Sequence, residues 1–217
     1  FQRLSPNVIA HNAAVGACSR AGQWSWALHV LQLMEREGPE PDLLTFSAAI
    51  SACERSGHWA WALQLLGGLR HGASVEPDVV AYNSAISACE KGSRWDLAIE
   101  VLADIHWAHL QPDAISYNAA ISASAGRAQW GAALSLRAAM RGAGIREDAI
   151  TCNAATGACE KAARWQAALW LLGEAFESKF DWDASTANGV RPSPDVVGVN
   201  SALSACEKSG QWQKALA

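Results

Sequence analysis

The stretch YNSAISACEKGSRW, from Tyr82 to Trp95, returns in altered form as CNAATGACEKAARW from Cys152 to Trp165. Working outward from this pair, the whole chain keeps one beat. Trp24, Trp59, Trp95, Trp130, Trp165 and Trp212 are separated by 35, 36, 35, 35 and 47 residues. Cys18, Cys53, Cys89, Cys159 and Cys206 follow the same period, with Ser124 in the place of the absent one. Repetition at a period of this size marks a stack of supersecondary units. Cut before each recurring apolar pair that follows Asn or Asp, the units run 8–42, 43–78, 79–113, 114–148 and 149–195, with a last one, 196–217, broken off.

Inside a unit the apolar spacing is helical. Val80, Ala81, Ala85, Ile86 and Ala88 run to Lys91 without proline or internal glycine, Gly92-Ser93 makes a turn, and Trp95 opens a second helix through Ala98, Ile99, Val101, Leu102 and Ile105. Pro112 stops the approach to the next unit and Asp113 can cap its first helix. Each unit therefore reads as a helical hairpin. A lone hairpin cannot bury its apolar face, so neighbours must stack into a superhelix, for which the alanine pairs Ala13-Ala14, Ala48-Ala49, Ala119-Ala120 and Ala154-Ala155 permit close approach. The tryptophans, at the head of the second helices, are expected to fill the junctions between neighbours. The excess length of the fifth unit lies near 176–194, rich in Gly, Ser, Asn and Pro, and reads as a lengthened helix or an exposed loop.

The composition bounds the rest. With 217 residues, 50% hydrophobic and 18% charged, the chain has ample material for a core. No run approaches a membrane span. A net charge of −4 argues against holding nucleic acid by positive charge alone. The six cysteines include no CxxC pair and read as buried, reduced thiols. No cofactor or metal set is evident: His106 and His109 share a turn but lack the Cys or Glu partners that would complete a site, and no catalytic constellation appears, so the chain is not expected to be an enzyme. The chain opens on Phe1, which reads as a segment of a longer protein.

A 35-residue hairpin that carries an apolar pair, then an aromatic and Asn or Ser near its start (Phe46-Ser47, Tyr82-Asn83, Tyr117-Asn118) and Pro-Asp near its end resembles the pentatricopeptide repeat. The rival tetratricopeptide pattern, W-x-x-L-G-x-x-Y in the first helix, appears in no unit. The resemblance covers essentially the whole chain. It implies an all-α, right-handed α-solenoid of helix-turn-helix repeats, and a reader of single-stranded RNA that takes one base per unit.

On that resemblance, the base readers are the fifth residue of each unit and its last: Asn12 with Asp42, Ser47 with Asp78, Asn83 with Asp113, Asn118 with Asp148, and Asn153 with Asp195, while Asn200 lacks a partner. Asn is a mediocre helix former, so its choice in five units of six asks for a reason, and an amide offers both donor and acceptor to a base edge. Asp before a helix is also a good N-cap. Ile9, Leu44, Val80, Ile115, Ile150 and Val197, the second residues, would clamp bases between them. On a helix the second, fifth, ninth and twelfth residues share one arc, in the third unit Val80, Asn83, Ser87 and Glu90.

Arg20, Arg55, Lys91, Lys161 and Lys208, at the thirteenth residue, are spaced to follow a phosphate backbone, although acids such as Glu54, Glu90, Glu160 and Glu207 stand beside them. In the family's scheme the pairs spell 5′-U-G-U-U-U-3′. The resemblance further implies a chloroplast or mitochondrial setting and a role in organellar RNA processing, stability, editing or translation. Two other readings stay open: a protein-binding scaffold on the same surface, and an array that targets a nuclease domain outside this segment.

Overall fold

The computed structural model describes residues 8–72, 76–177 and 196–211. Among these residues there are eleven α-helices and no strand. They are α1 (Val8–Arg20), α2 (Trp24–Glu37), α3 (Leu43–Arg55), α4 (Trp59–Gly72), α5 (Val79–Lys91), α6 (Trp95–Trp107), α7 (Ala114–Gly126), α8 (Trp130–Gly142), α9 (Ala149–Lys161), α10 (Trp165–Glu177) and α11 (Val196–Lys208). Every odd helix opens on the first residue of a repeat and every even one on the recurring tryptophan. Residues 178–195, which hold most of the fifth repeat's extra length together with Trp182 and Asp195, lie outside the described residues, as does Trp212.

The start of each first helix has a chemical cause. Asp42, Asp78, Asp113 and Asp148 sit in extended backbone, and each carboxylate accepts a hydrogen bond from the backbone N–H three residues on. One orphan donor of the helix end is thereby satisfied, and the negative charge meets the positive end of the helix dipole. At Asp113 and Asp148 the bond is returned, since Ser116 and Thr151 accept from the aspartate's own N–H to close a capping box.

The turn inside each hairpin is one motif repeated six times. The fifteenth residue of every repeat, Gly22, Gly57, Ser93, Ala128, Ala163 and Gly210, has a left-handed φ between 52° and 72°. The N–H of the sixteenth residue then donates to the carbonyl of the eleventh, as from Gln23 to Cys18 and Arg94 to Cys89, and the fifteenth donates to the twelfth. This is the Schellman closure of a helix. The sequence expectation of a turn at Gly92-Ser93 holds, but its left-handed residue is Ser93, not the glycine. Gly92 serves another end: a Cβ there would lie 2.2 Å from the Trp59 ring.

The chain separates into two compact units, Phe1–Pro112 and Asp113–Ala217. Within each, an odd helix packs on the next odd helix and on the even helices flanking it in sequence: α3 against α1, α5, α2 and α4 in the first, α9 against α7, α11, α8 and α10 in the second. Each is a stack of hairpins, the all-α solenoid arrangement. Ala49, Ala85, Ala120, Ala155 and Ala202, the seventh residues, are fully buried where one odd helix crosses the next. So are Cys53, Cys89, Cys159 and Cys206, and all six cysteines are free thiols. Burial pushes the thiols of Cys53, Cys89 and Cys159 up to about 11, which keeps them protonated and unreactive.

The tryptophans occupy the junctions. Trp24 stacks on His58 with ring centroids 4.1 Å apart. Arg94 lies over Trp59 at 4.5 Å, and Arg164 over Trp130 at 5.2 Å. In each case the seventeenth residue of one repeat meets the sixteenth of the next, through stacking or cation–π contact.

Candidate nucleic-acid interface

Two of the pairs expected to read bases are closed into hydrogen-bonded units. Asn12 Nδ2 lies 3.1 and 3.0 Å from Asp42 Oδ1 and Oδ2. Asn118 Nδ2 stands 3.2 and 3.0 Å from the two oxygens of Asp148. The fold explains the convergence: the Asn is on an odd helix, and the Asp caps the next odd helix, which packs directly against the first. One carboxylate thus takes a backbone N–H from its own helix and an amide N–H from the preceding repeat.

A third side chain joins each pair. Thr45 Oγ1 donates to Asn12 Oδ1 and Thr151 Oγ1 donates to Asn118 Oδ1 at 2.6 Å. Neither Thr45 nor Thr151 was singled out by the sequence reading. The available signal was Asp-x-x-Thr at the head of a helix, the spelling of a capping box. At Asp42, burial alone would raise the carboxyl pKa, but the Thr45 hydroxyl, the Thr45 N–H and the Asn12 amide outweigh it and hold the group below its ordinary value.

The other pairs differ. Ser47 is too short to reach as asparagine does, and its Oγ is buried with no hydrogen-bond partner among the described residues, while Asp78 caps α5 through the N–H of Ala81 at 2.9 Å. Asn83 is buried on α5 in the first compact unit and Asp113 caps α7 in the second. Asn153 is half-buried on α9, and its partner Asp195 is outside the described residues. Asn200 is exposed on α11.

The second residues form the clearest surface feature. Ile9, Leu44, Val80, Ile115, Ile150 and Val197 are all between 58% and 74% exposed. Large aliphatics are normally turned into a core, so a row of them left in solvent, one per repeat and beside the Asn–Asp groups, marks a contact surface.

The thirteenth residues are divided. Arg20, Arg55, Lys91, Lys161 and Lys208 are all exposed. Lys91 Nζ is 3.0 Å from Glu54 and Lys208 Nζ is 2.9 Å from Glu160, in each case an acid of the preceding repeat. The Lys208 ammonium holds the Glu160 carboxyl below its ordinary value. Arg20, Arg55 and Lys161 have no acid within ion-pair distance among the described residues; the twelfth residues of the repeats preceding the last two are Ser19 and Ala125.

A charged group that the sequence did not announce lies in the second compact unit. Arg137, 5% exposed, donates to Glu174 at 2.8 Å and to Glu147 at 2.9 Å, and Arg141 reaches both acids. It ties α8, the segment before α9, and α10. No group of three or more His, Cys, Asp or Glu side chains among the described residues could hold a metal ion, and no described helix is long and apolar enough to cross a membrane.

Comparison with known proteins places this arrangement. The crystal structure of the pentatricopeptide repeat protein PPR10 in complex with an 18-nt psaJ RNA element is similar over 100% of this chain and 28% of that one, with TM-score 0.69 and 24% identity. This chain therefore spans little more than a quarter of that protein's length. A crystal structure of the pentatricopeptide repeat protein PPR10 from maize aligns over 99% of this chain and 38% of its own, with TM-score 0.58 and 15% identity. The PPR domain of Arabidopsis thaliana protein-only RNase P 1, in complex with tRNA, aligns over 92% of this chain and 95% of that domain, with TM-score 0.67 and 12% identity. At these identities the likeness is one of fold. No curated protein matches the sequence. The family model of the pentatricopeptide repeat domain matches residues 2–55 and 71–127, over half of the chain, and the chain belongs to the pentatricopeptide repeat family.

Proposed function

We propose that the chain is a single array of repeats, 8–42, 43–78, 79–113, 114–148, 149–195 and 196–217, that binds single-stranded RNA and reads one base per repeat. The observation that carries the reading is an exposed aliphatic in every repeat, with a hydrogen-bonded Asn–Asp pair on the same helix face in two of them, at Asn12/Asp42 and Asn118/Asp148. Apolar surface in solvent wants a flat apolar partner, and a base face is one. The amide beside it has hydrogen-bonding capacity to spare. Its two N–H groups diverge, so one proton faces the carboxylate and the other is left over, together with a lone pair on Oδ1. A base edge that meets both is recognised by its donor and acceptor order.

The pairs Asn12/Asp42, Asn83/Asp113, Asn118/Asp148 and Asn153/Asp195 are assigned to uracil and Ser47/Asp78 to guanine, giving 5′-UGUUU-3′. The free Ser47 hydroxyl supports a different base at the second place. Arg20, Arg55 and Lys161 follow the phosphates, with Lys91 and Lys208 muted by their acids. We infer from the family membership that the targets are chloroplast or mitochondrial transcripts, on which binding would act in processing, stability, editing or translation.

The test is the affinity of the chain for a single-stranded RNA containing UGUUU against an A-rich RNA of equal length. The first should bind at least about tenfold more tightly, the worth of one or two well-made hydrogen bonds. Equal or undetectable affinity for both overturns the reading. Asn83→Thr should then move the preference at the third base from uracil toward guanine, whereas a uniform loss would make Asn83 a tie between helices only.

A further inference from the structure

We propose that the third residue of a repeat is a positioning residue for the base reader of the repeat before it: a hydroxyl there locks the Asn amide in one orientation and sharpens its choice of base. The proposal rests on the base-reading assignment above.

The hydrogen-bond directions follow from chemistry. An ionised carboxylate can only accept, so Asp148 must face the NH2 end of Asn118, and Asn118 Oδ1 must point away from it. At that end stands the Thr151 hydroxyl, 2.6 Å from Oδ1 and fully buried. Thr151 already gives its backbone N–H to Asp148 at 2.9 Å, and its oxygen accepts the Asp148 N–H at 3.3 Å, which sets the side-chain rotamer. The hydroxyl proton has two acceptors within reach, Asn118 Oδ1 at 2.6 Å and Asp148 Oδ1 at 2.9 Å, and the amide oxygen is the nearer. Asn12, Asp42 and Thr45 make the same amide–carboxylate, backbone-cap and hydroxyl–amide contacts in the other compact unit. The amide is gripped at both ends and cannot turn over.

The sequence carries the same logic across the array. Readers Asn12, Asn83 and Asn118 are followed in the next repeat by Thr45, Ser116 and Thr151. The serine reader, Ser47, is followed by Ala81, and Asn153 by Gly198, neither of which can donate from a side chain. A locked amide presents donor and acceptor in a fixed order, and uracil and cytosine differ in whether their ring N3 donates or accepts. With the hydroxyl removed, the carboxylate alone holds the amide and the two pyrimidines are told apart less sharply.

Thr151→Val keeps the shape and removes the hydroxyl. Against RNAs containing UGUUU and UGUCU, which differ at the base assigned to Asn118, the wild-type chain should prefer the first. The variant should lose about tenfold of that ratio, the worth of one hydrogen bond. Thr151→Ser should keep the ratio, and Thr45→Val should relax the first base while leaving the fourth intact. A loss of affinity equal for both RNAs, with the ratio unchanged, shows a merely structural threonine and overturns the proposal. The underlying reading fails separately and visibly: wild type and Asn118→Ala would then both bind the two RNAs alike.

Discussion

At the scale of the residue, the fifteenth position of the repeat shows backbone conformation overruling side-chain preference. A left-handed φ costs an L-residue roughly 1–2 kcal/mol, yet Ser93, Ala128 and Ala163 adopt it because the Schellman bonds around them require it. Ala128→Gly and Ala163→Gly should each raise stability by about 0.5–1 kcal/mol, the relief of that cost less the entropy glycine loses on folding, read as a higher urea midpoint. Gly92 predicts the reverse. Its ordinary φ needs no glycine, but the Trp59 ring fills the space a methyl would take, so Gly92→Ala should destabilise by roughly 1–3 kcal/mol. Gly67, in α4 with nothing within 4 Å, is the control, and Gly67→Ala should be neutral or stabilising. The turn at Gly92-Ser93 was legible in the sequence as a turn. The separate duties of its two residues were not, because the constraint on Gly92 comes from a tryptophan one repeat earlier and has no local signature.

At the scale of the element, helix boundaries were legible for a physical reason. Each repeat after the first spells its own start, Asp then an aliphatic pair, and a capping carboxylate acts within three residues of itself. The Asn-to-Asp reach across repeats was legible only as an expectation of nearness, and the threonine that completes it was missed because it looked like an ordinary first-turn residue. Least legible was the Arg137 group, whose acids are 10 and 37 residues away and belong to no recurring position. That group makes a pH prediction. Arg141, against the opposing effect of burial and with help from Arg137, holds the Glu174 carboxyl below its ordinary 4.5. A depressed carboxyl contributes stability that is fully present above the unfolded-state value and is lost as pH falls through the folded one. Unfolding free energy should therefore decline as pH drops below about 4.5, and Glu174→Gln should flatten that decline while lowering stability at pH 7. A decline identical in the variant assigns the acid sensitivity elsewhere, with Asp42 next in line.

At the scale of the whole molecule, the proposed RNA binding has to explain how a chain of net charge −4 would hold a polyanion. On that proposal the exposed aliphatics and amides would supply contacts that salt does not screen, while the basic row is partly cancelled by its own acids. Of the thirteenth residues, Arg20, Arg55 and Lys161 have no acid at ion-pair distance among the described residues. If each neutralises one phosphate, the slope of log K against log salt should be about −2, at roughly −0.7 per contact on a single strand. Glu54→Gln and Glu160→Gln together release Lys91 and Lys208. Both pairs are largely exposed, so their loss should cost the fold under about 1 kcal/mol each. RNA affinity at low salt should rise and the slope should steepen toward about −3.5, as expected for two more phosphate contacts. The gain should be the same for UGUUU and for an A-rich strand, because phosphate contacts carry no sequence information. A double variant with steeper salt dependence and an unchanged base preference would separate the two layers of the surface: charge at the thirteenth residue for grip, amide and carboxylate at the fifth and last for choice. An unchanged slope would take the lysines off the phosphate path.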